Sequence, residues 1–319
     1  MRSVALLCFI IILSSCSKNQ DQDTIPAPLS LEEMILEQTQ NELFLDALHC
    51  SDIDLEGKAF TLLMPSESAL QDFLNDFGAA DFNSIKANIG SSYFNAWLGS
   101  HILPQAAKVE NLHTAFIPTM AINSNKQPIY MHWRRNKSIV RANGLWINFQ
   151  NKDLELAQGM IHEIDQVLNP ATLSKLVRSH SESFSILERA LRITGLSTLL
   201  NSDQKKYTFL APNDQAFDQF FQDKDCGDLD GFIADYGTPA LKALIEGHLI
   251  NGSQKLSDLS GRSQNSLVSN AGLNFYLDNG NIHINRNNAV GGNTAQVLIT
   301  DISCFNGSLN IIDEVLKLP

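Results

Sequence analysis

Tyr207-Thr208-Phe209-Leu210-Ala211-Pro212-Asn213 decides the fold, because an earlier stretch repeats it as Phe60-Thr61-Leu62-Leu63-Met64-Pro65-Ser66. Two more anchors keep nearly the same offset. His101-Ile102-Leu103 returns as His248-Leu249-Ile250, and Ile164-Asp165-Gln166-Val167-Leu168 returns as Ile312-Asp313-Glu314-Val315-Leu316. Solenoid repeats have periods of roughly 20–50 residues. This period is instead that of a whole domain, which runs to about 100–150 residues. The chain therefore carries one fold twice.

Each copy reads the same way. In the second, Phe184, Leu187, Ala190 and Leu191 recur at helical spacing, and Gly195 follows as a stop. The short β-rich run Tyr207–Leu210 ends at Pro212, and Asn213 is placed to cap a helix carrying Ala216, Phe217, Phe220 and Phe221. A further helical face, Leu241, Leu244 and Ile245, leads into His248. Leu273, Phe275 and Leu277 alternate up to Asn279-Gly280, and Ile282 and Ile284 alternate away from it, which predicts a β-hairpin. Helices first and antiparallel strands after them predict an α+β domain.

These motifs resemble the fasciclin-like domain. Its first box, approximately Tyr/Phe-Thr-aliphatic-aliphatic-Ala-Pro-x-Asp-x-Ala-Phe, matches Tyr207 to Phe217 with Pro212 and Asp214 in place; the first copy keeps Pro65 but has Met64, Glu67 and Leu70. Its central histidine falls on His101 and His248. Its last box matches Asp301, Asn306, Gly307, Ile312 and Asp313 in the second copy, and Asp153, Gly159, His162, Ile164 and Asp165 in the first; Asn310 stands where the family has His. The resemblance implies two tandem fasciclin-like domains, 29–170 and 171–319, each an α+β fold with helices packed on an antiparallel β-wedge. It also implies adhesion or interaction with protein or extracellular glycan partners, without catalysis or cofactor.

Residues 1–15 read as a signal peptide. Arg2 precedes the apolar run Val4–Leu13, which is too short for the roughly 20 residues of a membrane span. Leu13-Ser14-Ser15-Cys16 resembles the bacterial lipobox, which implies lipid on Cys16 and contact with the membrane there. Residues 16–28 are polar, end in two prolines, and read as a flexible tether. The acidic Gln20–Asp23 segment resembles the export tags of Bacteroidetes surface lipoproteins. The expected location is thus the cell envelope, as an outer-membrane lipoprotein exposed at the surface or facing the periplasm. An alternative role is an accessory lipoprotein of an outer-membrane nutrient-import or polysaccharide-utilisation complex.

From Cys16 onward 22 Lys+Arg oppose 35 Asp+Glu. No basic face is available for nucleic acid. Nucleophile-elbow, zinc-protease, phosphate-loop and dinucleotide motifs are absent from the sequence. His101 and His248 close apolar helical faces and read as hydrogen-bonded structural residues, as Asp165 and Asp313 do. The acidic run Asp223–Asp230 has glycine at the wrong place for a calcium loop and reads as a solvated insertion, so no metal site is expected. Cys50, Cys226 and Cys304 form no disulfide pattern, although a Cys226–Cys304 bridge is allowed.

The most distinctive stretch is Ile129-Tyr130-Met131-His132-Trp133-Arg134-Arg135, followed by Arg141, Trp146 and Phe149. As a strand it turns Ile129, Met131 and Trp133 one way and Tyr130, His132 and Arg134 the other. With one set buried, Tyr130, His132, Trp133, Arg134, Arg135 and Trp146 would leave an aromatic, cationic strip able to stack on sugars or pair with acidic glycans or a protein. The competing explanation is an edge hairpin blunted by charge.

Overall fold

The computed structural model describes residues 30–318 except 138, 203, 269–271 and 287–292. The signal peptide, Cys16 and the tether lie outside the described residues.

The two repeats are built alike. The boxes that open them form the buried strands Phe60–Pro65 and Tyr207–Pro212. Each is followed by a capped helix: Ser66 Oγ accepts from Ala69 N–H at 3.3 Å, and Asn213 Oδ1 accepts from Ala216 N–H at 2.8 Å. The next helical stretch is broken once in each copy. Gly90 separates Phe82–Ile89 from Ser91–Gly99, and Gly237 kinks Leu229–Glu246; their φ values of 83° and 82° are open to glycine at little cost. The hairpin predicted at Asn279-Gly280 joins Gly272–Asp278 to Asn281–Arg286, with Asp278 opposite Asn281.

One pairing departs from an antiparallel wedge. The first and last strands of each repeat run parallel, Phe60–Pro65 beside Gly159–Ile164 and Tyr207–Pro212 beside Gly307–Ile312. The partners are separated by about a hundred residues, enough chain for the crossover that parallel strands need. Approach at the start of this pair is close enough to demand glycine. A Cβ on Gly307 would stand 2.0 Å from the Tyr207 carbonyl oxygen, and one on Gly159 would stand 2.8 Å from that of Phe60.

The sheets then differ. Among the described residues the second repeat has one seven-stranded sheet, in which the long strand Thr294–Cys304 passes from Asn281–Arg286 to Gly307–Ile312 through two register shifts. The first repeat has two four-stranded sheets, because the corresponding chain breaks between Leu145–Ile147 and Leu154–Glu155.

Each repeat buries one core under its helices and another inside its strands. Phe44, Leu70, Phe94 and Trp97 belong to the first kind in repeat one, and Trp133, Val140 and Ile164 to the second. The helix-side core of repeat two, with Phe184, Phe209 and Phe217, takes in Ala96, Ala121 and Ile129 from repeat one. The repeats are thus docked through shared apolar burial. Asn123 Nδ2 also donates across the seam to Ser303 Oγ at 2.9 Å, and the Tyr93 and Phe305 rings meet edge to face at 4.9 Å.

Candidate functional site

The histidines of the central box are buried completely and bonded at both nitrogens. His101 Nδ1 donates to the Trp97 carbonyl at 3.0 Å while its Nε2 accepts from Leu168 N–H at 2.8 Å. His248 does the same with Leu244 at 2.8 Å and Leu316 at 2.9 Å. Each therefore pins the chain after the last strand to the end of the kinked helical stretch. Burial holds both neutral, lowering His101 to about 4 and His248 to about 3, the latter also under the Arg286 charge.

The aspartates serve the backbone. Asp165 Oδ1 accepts from Asn148 N–H at 3.2 Å, and Asp313 Oδ1 accepts from Gln296 N–H at 2.7 Å. Asp214 receives the N–H groups of Ser185 and Ile186, at 2.9 and 2.8 Å, and the Ser185 hydroxyl. Glu67 accepts the corresponding Leu43 N–H at 3.2 Å in the first repeat. Pro65 and Pro212 end their strands. Asn306 receives Leu173 N–H and donates to the Leu200 and Ser202 carbonyls, tying the first helix of repeat two to the sheet beside Gly307.

His162 and Asn310 are equivalent. His162 Nδ1 accepts Asp153 N–H at 2.9 Å and Asn310 Oδ1 accepts Asp301 N–H at 2.7 Å. Both aspartates sit at left-handed φ and cap the short turn preceding their sheet, through Val109 N–H and Leu256 N–H. A histidine and an asparagine thus do one job with one acceptor atom.

Cys50, Cys226 and Cys304, the cysteines among the described residues, are free thiols. Burial pushes Cys304 up to about 12, far from a reactive thiolate. The acidic run after Asp223 is spent locally: Asp223 pairs with Lys317 at 2.8 Å, Asp228 caps Leu229–Glu246 through Gly231 N–H, and Asp230 pairs with Arg189 at 2.6 Å.

The aromatic and cationic strip is divided by the fold. Its strand is Pro128–Asn136. Ile129 enters the core shared with repeat two, whereas Met131 and Trp133 pack inside repeat one, where Trp133 Nε1 donates to the Leu112 carbonyl at 3.2 Å. The other face turns toward repeat two. Tyr130 packs partly buried against its core, and His132 Nδ1 donates to the Ser179 carbonyl at 3.0 Å. Arg134 Nη1 pairs with Glu182 Oε2 at 3.0 Å. Arg135 is half-buried and donates to the Val109 and Lys137 carbonyls. Trp133 and His132 are therefore withheld from stacking on sugars or meeting a partner's surface, a correction to the continuous strip expected from the sequence. The alternation shows that two faces differ and does not say that a second domain covers one of them.

What stays outside is the hairpin beyond it. Trp146 is 60% exposed and lies directly opposite Arg141, which in turn lies opposite Arg134. Ile139 and Leu145 are exposed on the same two strands. On the seam, a groove of 590 Å³ opens between Asp52, Ser91, Asn95, Lys126, Lys206 and Phe305. These are surfaces suited to contact. No helix among the described residues is long and apolar enough to cross a membrane.

Comparison with known proteins accords with this architecture. The Fasciclin domain family model matches residues 36–170 and again 182–319. Transforming growth factor-beta-induced protein ig-h3 of Sus scrofa is 24% identical over 299 residues, and that of Oryctolagus cuniculus 25% over 300. Each alignment takes in 91% of this chain and 40% of the relative, so the chain spans less than half the length of these relatives. A FAS1 domain pair from the insect cell adhesion molecule fasciclin I superposes with a TM-score of 0.49 at 21% identity, covering 90% of this chain and 95% of that one. With both halves matched by one family model, the chain belongs to the fasciclin domain family and carries two of its domains in tandem.

Proposed function

We propose that the chain is a non-catalytic, lipid-anchored envelope protein that makes adhesive contacts through its fasciclin pair. The observation that carries the contact reading is the exposed Trp146 set opposite Arg141 at the outer edge of the first domain. An indole face beside a guanidinium suits sugar rings bearing acidic groups, or an acidic protein surface. The non-catalytic reading is supported by the fate of the buried polar groups. His101, His248 and His162 bond through both ring nitrogens to backbone groups, and Asp165 and Asp313 each accept a backbone N–H. The anchor rests on Leu13-Ser14-Ser15-Cys16, and a lipidated Cys16 would join the domains to the outer membrane through the polar tether.

Two experiments test this reading. Mass spectrometry of the mature N-terminus should find an acylated Cys16, and Cys16→Ala should release the chain from membranes; an unmodified, membrane-bound C16A protein would refute the anchor. Protease shaving of intact cells combined with attachment to acidic-glycan surfaces should show an exposed chain whose attachment falls on Trp146→Ala and Arg141→Ala. Attachment indifferent to both would remove this edge from the contact.

A further inference from the structure

We propose that the seam between the two domains is a binding site for a divalent transition metal of the zinc class, held by His132, His180 and Glu182. His132 Nε2, His180 Nδ1 and Glu182 Oε1 all lie within 4.8 Å of one another. The two nitrogens are 2.9 Å apart, and the carboxylate oxygen is 3.4 Å from His180 and 3.8 Å from His132. Ligands of a tetrahedral zinc, each about 2.0–2.1 Å from the ion, stand about 3.3 Å from one another. The three donors bracket that spacing, so seating an ion moves each by only a few tenths of an ångström.

The surroundings prepare the donors. His132 Nδ1 donates to the Ser179 carbonyl, which leaves the lone pair on Nε2, aimed at the other two groups. Arg134 grips the far oxygen of Glu182 and leaves Oε1 toward the histidines. Its charge is offset by that same carboxylate. Without an ion, His180 Nδ1–H donates to His132 Nε2 at 2.9 Å. An ion takes the place of that proton, which moves to His180 Nε2, so both imidazoles bind as neutral ligands and no other base is needed. The Phe116 ring walls the site, 4.8 Å from the His132 ring and 5.2 Å from that of His180. His132 is 1% exposed, His180 18% and Glu182 32%, giving a dry floor, an open mouth and room for water as fourth ligand.

Local backbone explains why residues two apart converge. His180 ends the helix Leu173–Ser179 and begins Ser181–Ile193 with φ −102° and ψ 45°, and this bend brings its ring to the side where Glu182 lies. His132 comes from the first domain and the other two ligands from the second, so the ion would clasp the pair and stabilise their docking by its binding energy.

The test uses the full chain in detergent, stripped with chelator and titrated with Zn²⁺ against a chromophoric competitor. One zinc per chain is expected, with affinity lowered at least about tenfold by His180→Ala or Glu182→Ala and unchanged by His113→Ala, an exposed histidine elsewhere. Zn²⁺ should raise the unfolding midpoint of the parent chain and not that of E182A. Co²⁺ on the unsubstituted chain gives a readout that needs no variant: intense visible bands of a tetrahedral site are expected. Absence of zinc binding, equal affinity in H180A and E182A, or the weak spectrum of octahedral Co²⁺ would each overturn the assignment.

Discussion

The two domains are the same bonding scheme written with different residues. His162 and Asn310 accept the same amide, Glu67 and Asp214 receive the same helix-start N–H groups, and Ser66 and Asn213 cap the same helix. Where geometry alone decides, the residue is identical: Gly159 and Gly307 at the close strand approach, Gly90 and Gly237 at the helix break. A position that needs one acceptor atom tolerates any side chain that delivers it, whereas glycine is required where a Cβ has no room, at Gly159 and Gly307, and favoured where φ is positive, at Gly90 and Gly237. The domains diverge most at their sheets. The second keeps a continuous seven-stranded sheet, while the first breaks it and frees the hairpin that carries Arg141 and Trp146.

The largest effect that could break this comparison is acid. His101 and His248 titrate near the ordinary 6.5 when unfolded and at about 4 and about 3 when folded, because burial penalises their charged forms. Between those values the unfolded chain binds more protons, so stability is whole above about pH 6.5 and declines as pH falls. By pH 4 the loss should approach about 3 kcal/mol for each histidine. Urea unfolding across that range should show the decline, and His101→Asn or His248→Asn should each flatten it. A flat profile in the parent chain would show that the histidines are not held neutral.

Next come the glycines. Gly307→Ala should cost about 3 kcal/mol or more, since the colliding atom is a backbone oxygen 2.0 Å away, and Gly159→Ala about 1–2 kcal/mol. Equal losses in the two domains, measured by chemical denaturation, would mean that the strand approaches do not differ. A smaller effect sharpens the equivalence of His162 and Asn310. His162→Asn should retain most of the stability, within about 1 kcal/mol, while His162→Ala, which orphans Asp153 N–H, should lose about 1–3 kcal/mol. The smallest is Glu67→Asp: shortening the side chain to the form used by the second domain should change stability by no more than about 0.5 kcal/mol.

Much of this was legible in the sequence. The boxes around Pro65 and Pro212 mark strand and capped helix because proline and Ser or Asn act locally. The Asn279-Gly280 turn is equally local, since both residues take positive φ there. The parallel pairing of first and last strands joins segments too distant for any periodicity to report. The seam was hidden for a related reason. Tyr130, His132 and Arg134 alternate with an apolar set, which predicts two unlike faces and leaves open what covers the polar one. His132 and His180 are 48 residues apart, and His180 and Glu182 have a spacing that no regular helix brings together. Only the bend at His180 and the docking of the domains assemble them.

The central claim is that the second domain covers the outer face of Pro128–Asn136, so that the pair forms one folded body through a shared core. Differential scanning calorimetry of the full chain at neutral pH tests it most directly. One transition with a calorimetric to van't Hoff enthalpy ratio of about 1 is predicted. Two separate transitions, each insensitive to a Tyr130→Asp or Ala121→Asp substitution in the seam, would contradict it.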